Sequence, residues 1–114
     1  MPLLIKLAKK MELGVKERVV LLQLLPTEAD YITYKIIEDL KMELSFSEDE
    51  IKEFEITAVQ GQILWNTKKI KTKEIEIGET AEKIITKALE EADKQNKING
   101  DNSKLYERFV LKNE

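Results

Sequence analysis

A chain of 114 residues with neither cysteine nor histidine is long enough for one domain burying about 60% of its unfolded surface, and too short for two. Those two absences remove disulfides, thiolate metal sites, cysteine nucleophiles, the commonest general base and the usual metal ligand. The net charge of −3 is segregated, with +3 over residues 1–25, −7 over 26–57, +4 over 58–73 and −3 over 74–114.

Residues 1–10, MPLLIKLAKK, fit either a short strand or helix that docks on the domain or an N-terminal extension upstream of an alternative start at Met11. Residues 2–7 are too short for a secretory apolar region and lack a small-residue cleavage site. No apolar run approaches the roughly 20 residues that span a bilayer, so a cytoplasmic protein without membrane contact is expected.

The stretch from Val15 to Leu25, VKERVVLLQLL, is apolar on nearly every side beyond a polar first turn, which predicts a central helix stopped by Pro26. A second helix is signalled at Thr27 to Asp30, with Asp30 a candidate N-cap. Its predicted core stripe is Ile32, Ile36, Ile37, Leu40 and Leu44, opposite Glu38, Asp39, Lys41 and Glu43. In FSEDEI, Ser47 and Glu50 have capping-box spacing, and Phe46 and Ile51 occupy the positions of a hydrophobic staple, so a short helix starts at Ser47.

The pattern then changes to alternation. Phe54, Ile56 and Ala58 lead to a two-residue turn at Gln60-Gly61, Gln62 to Trp65 forms a second strand, and Lys73 to Ile77 a third. A helix from Glu79 to Lys97 follows, ended by Asn99-Gly100. A last short helix, capped by Asp101 or Asn102, carries Leu105, Tyr106, Phe109 and Val110, and residues 112–114 are expected to fray. The whole predicts one α+β domain over residues 1–114, with about five helices packed on a small three-stranded antiparallel β-meander.

Little in this chain carries chemistry. Glu48, Asp49, Glu50, Glu53 and Glu55 invite a metal or acid–base reading, but helix first turns favour solvated acids, and no DxDxDG loop or ExxH pair accompanies them. Gly14, Gly61, Gly78 and Gly100 make no phosphate-binding loop, and the serines lack a nucleophile elbow. No cofactor and no catalytic residue is expected. Tyr31 and Tyr34, with Glu48, Asp49, Glu53 and Glu55, form the candidate surface for a protein partner. Lys68, Lys69, Lys71 and Lys73, close after Trp65, are the candidate phosphate contacts of an alternative nucleic-acid reading.

The segments VKERVVLLQLLP, LSFSEDEIKEF and KEIEIGE resemble pieces of small uncharacterised proteins encoded in bacteriophages and prophages. That resemblance implies an accessory protein made inside a bacterial or archaeal cell and acting by stoichiometric binding. It carries no functional residue over to this chain.

The preferred expectation is therefore a small non-enzymatic protein that binds another protein. The alternative is a winged-helix-like nucleic-acid-binding regulator, with Ser47–Phe54 as recognition helix and Lys68–Lys73 in a wing. The pI of about 5.2 and the acids of that helix oppose it. A homodimer is a further expectation, a second copy covering the apolar surplus of helix one or of Leu3 to Leu7.

Overall fold

A computed structural model describes residues 8–69 and 71–111, with side chains from residue 10 onward. The expectation of a frayed tail at 112–114 and the first seven residues of the N-terminal segment lie outside the described residues. The architecture is a single compact α+β domain. Strand β1 (Ala8–Leu13) leads to helices α1 (Val15–Leu24), α2 (Tyr31–Leu44) and α3 (Glu48–Phe54). The hairpin β2 (Thr57–Val59) and β3 (Gln62–Leu64) follows, then β4 (Lys73–Gly78), α4 (Glu79–Lys94) and α5 (Ser103–Tyr106), which continues as a π-helical turn over Glu107–Leu111.

The expected three-stranded meander is replaced by two separate two-stranded antiparallel sheets. β4 leaves the β2–β3 hairpin and pairs instead with β1, in a register from Ala8 opposite Gly78 to Leu13 opposite Lys73. Burial decides the partner. Met11 and Leu13 share a face with Ile75 and Ile77, and that face lies on the helices, whereas every residue of β2 is exposed. Residues 8–10 belong to the sheet, as the docked-strand alternative for this segment expects. On the outer face Lys10 stands opposite Glu76, and Glu12 opposite Glu74.

The starts of α2 and α3 follow their sequence signals, whereas Asn102 opens α5 without a side-chain cap. The Gly14 N–H donates to Glu17 Oε1 at 2.7 Å. Asp30 caps α2, accepting from the Thr33 N–H at 3.1 Å. Ser47 and Glu50 close a full capping box at α3. α4 stops earlier than expected because Asn96 turns left-handed at φ 59°, and the Lys97 N–H bonds back to the Ala92 carbonyl at 2.8 Å. Asparagine tolerates that conformation better than most residues. Gln60 and Gly61 both have positive φ, 50° and 78°, which makes the hairpin turn type I′.

Two apolar clusters form the interior. The larger joins Leu21, Ile37, Leu40, Leu44, Ile75, Ile77, Ile85, Leu89, Leu105 and Phe109, among others. The smaller has Val15, Val19 and Phe54 at its centre, with Phe46, Ile56, Ile63 and Trp65 packed against it. α1 contributes to both, since Leu21 and Leu25 enter the first and Val15 and Val19 the second. Its role as hub holds, although Leu22 and Leu24 remain half-exposed and, in the polar first turn, Lys16 is exposed while Arg18 is fully buried.

Candidate functional site

Among the described residues Arg18 is the one charged side chain that is buried. Arg18 projects from the first turn of α1 into the corner where α2 ends and α3 begins. Its Nε donates to the Leu44 carbonyl at 3.0 Å, and Nη2 donates to the Ser45 carbonyl. Both carbonyls belong to the C-terminal end of α2, where helical backbone leaves acceptors without partners. Nη1 and Nη2 together grip the Glu50 carboxylate, at 2.9 and 3.2 Å. The Phe46 ring lies under the guanidinium, 4.0 Å from its centroid, in cation–π contact.

Glu50 also accepts from the Ser47 N–H, so one carboxylate completes a helix cap and neutralises a buried cation. The Arg18 guanidinium drives the Glu50 pKa down to about 2. Phe46 is thus engaged by Arg18, while Ile51 is 41% exposed. Arg18 and Glu50 form a structural lock. The spacing that could have revealed it is Arg18 directly between Val15 and Val19, on the side of α1 that faces the core.

The remaining acids of α3 and its exit face water. Glu48 and Asp49 are exposed, Glu53 pairs with Lys71 at 3.0 Å, and Glu55 pairs with Lys69 at 2.8 Å. The Lys69 ammonium holds the Glu55 pKa below its usual value, helped by the Asn66 amide. Two of the four candidate phosphate contacts are therefore engaged by acids of the same chain. Lys68 is exposed, and Lys73 starts β4 on the side of Glu50.

α2 carries the largest apolar exposure. Ile37, Leu40 and Leu44 face the core, the opposite side presents Tyr31 at 74% and Met42 at 75% exposed, and the two flanks carry Ile32 at 71% and Tyr34 at 38% exposed. Ile32 is a correction to the predicted core stripe. It sits in the first turn of α2, after the exposed linker from Pro26 to Asp30, where no neighbouring element reaches it. No local signal marks Met42 in the sequence beyond its place on the same stripe as Tyr31, 11 residues on. Between these apolar side chains stand Lys35, Glu38 and Asp39. The Tyr34 hydroxyl hydrogen-bonds Glu38, which raises the tyrosine pKa.

The two halves of the candidate partner surface stand apart. Tyr31 opens α2 and the α3 cap is pinned at its far end, about 20 Å away at 1.5 Å per residue. An open groove of about 710 Å³ runs between the α1–α2 linker and α4, where Leu24, Pro26 and Ala29 face Ile84 and Ala88, with Lys83, Lys87 and Glu91 also lining it. Among the described residues no group of three or more acids is placed to hold a metal ion, and no helix is long and apolar enough to cross a membrane. Comparison with protein-family models, curated proteins and solved structures finds no match to the chain.

Proposed function

We propose that this chain is a small non-enzymatic protein that acts by stoichiometric binding to another protein in the cytoplasm, as an accessory protein of the phage or prophage type. The observation that supports the reading is the outer face of α2. Four large apolar or aromatic side chains lie exposed on one short helix, and tyrosine and methionine are residues that partner surfaces favour. The helix is otherwise well made, with a capped start and a fully buried inner face, so the exposure is not the by-product of a loose element.

The nucleic-acid alternative draws less support. Lys69 and Lys71 are paired with acids, and the helix that would enter a groove presents Glu48, Asp49 and Glu53 to solvent, where phosphates repel them.

The test is capture from a bacterial lysate by the immobilised chain, compared with the double variant Tyr31→Glu, Met42→Glu. One stoichiometric protein, lost with the variant, is the expected result. A partner retained undiminished by the variant, or no protein captured while low-salt mobility shifts reveal duplex binding, overturns the reading.

A further inference from the structure

The outer face of α2 is its own complement. Tyr31, Lys35, Glu38 and Met42 recur at spacings of four, three and four residues, which are the alternating seam positions of a coiled coil. At 3.6 residues per turn they fall within about 60° of arc. Read from the N-terminus the seam runs apolar, cation, anion, apolar. Read backwards it runs apolar, anion, cation, apolar.

Resting on the reading of this face as an interface, we infer that in the absence of another protein its occupant is a second copy of the chain, docked with the two α2 helices antiparallel, Tyr31 against the partner copy's Met42 and Lys35 against its Glu38. In antiparallel pairs each layer joins one seam position to the other kind, which is the pairing these spacings give. A parallel arrangement would set Lys35 on Lys35 and Glu38 on Glu38, so charge selects the direction. Such a pairing is isologous and closes on itself as a dimer.

The lysine is free for this role. Among the described residues Lys35 forms no ion pair, not even with Glu38 or Asp39 one turn away on its own helix. Glu38, held by the Tyr34 hydroxyl, still has a second carboxylate oxygen to offer. Ile32, beside the seam, extends the apolar end layers. A 14-residue helix offers a seam about 21 Å long, so the interface is of the small class and the dimer is reversible on dilution.

Sedimentation velocity over a concentration series tests this with Lys35→Glu and Glu38→Lys, alone and mixed. The wild type should move from monomer to dimer as concentration rises. Each variant alone should associate at least tenfold more weakly, because its central layers become like-charged. An equimolar mixture should recover the dimer as a heterodimer, since one copy then presents two acids and the other two lysines. Circular dichroism establishes that both variants are folded.

A wild type that stays monomeric throughout overturns the inference, as do variants that associate like the wild type or a mixture that fails to recover. The broader reading fails separately. If self-association is absent but Tyr31→Glu, Met42→Glu still abolishes lysate capture, the face serves a different protein and only the second copy is excluded.

Discussion

Arg18 and Glu50, 32 residues apart in the chain, meet in a two-pronged ion pair that ties the first turn of α1 to the first turn of α3. Glu50 titrates low because of it, at about 2 against an ordinary 4.5. A carboxylate whose folded pKa lies below its unfolded one stabilises the fold fully above the unfolded value and loses that contribution as pH falls through the folded one. The window here is pH 4.5 down to about 2. The contribution is on the order of 2 kcal/mol, since water still reaches part of the carboxylate and screens the pair. Glu50→Gln should therefore unfold in less urea than the wild type at pH 7, and the gap should narrow by more than half at pH 3. A gap independent of pH would assign the loss to the cap alone.

Arg18→Met removes the cation and leaves the Leu44 and Ser45 carbonyls and the Glu50 carboxylate without their donor. Breaking a buried pair from one side costs about 3–5 kcal/mol. A thermal-denaturation cycle of Arg18→Met, Glu50→Gln and the double variant should show coupling of about 1–3 kcal/mol. Strict additivity would mean the two side chains act independently.

The hairpin turn is a type I′ turn with glutamine at its first central position, where positive φ penalises most side chains. Gln60→Asn should stabilise the hairpin by about 0.5 kcal/mol, because asparagine followed by glycine suits this turn. Gly61→Ala should cost about 1 kcal/mol. Cross-strand amide exchange at Thr57–Leu64 and Val59–Gln62 reads both effects locally, while the midpoint of global unfolding should hardly change.

Removing residues 1–10, so that the chain starts at Met11, deletes three of the six cross-strand positions of β1, those opposite Gly78, Ile77 and Glu76. The remaining half-strand has Leu13 and Met11 to pack but too little ladder to hold the edge of β4. The shortened chain should melt at a distinctly lower temperature than one lacking only residues 1–7, which keeps the full register. Equal melting temperatures would show that the pairing at Ala8 to Lys10 adds nothing.

Local signals were readable in the sequence wherever neighbours three or four residues apart decide the structure. The Ser47–Glu50 box, the Asp30 cap, the Gln60-Gly61 turn and the inward Ile75 and Ile77 are all of this kind. What escaped depended on partners far along the chain. Nothing near Lys73 states that its strand will pair with Ala8–Leu13 rather than with the hairpin beside it. The burial of Arg18, in a first turn that is polar in the sequence, depends on two backbone carbonyls and an acid from 26 to 32 residues away. Ile32 read as core because helical periodicity names a stripe without saying how far the neighbours extend along it. Of the candidate surface, Tyr31 and Tyr34 were visible, and Met42, which completes their face, was not.

The pairing of β1 with β4 also governs how the protein can be born. Strand β1 leaves the ribosome some 60 residues before its partner β4 has been synthesised, so loop closure over that span must precede the sheet. Until then the growing chain can bring α1, α2 and α3 together through Arg18, while Met11 and Leu13 wait with no sheet to join. The sheet closes when Lys73–Gly78 returns to Ala8–Leu13, α4 and α5 then add Ile85, Leu89, Leu105 and Phe109 to the core, and a pause in translation before Lys73 would hold the protein in that open-edged state.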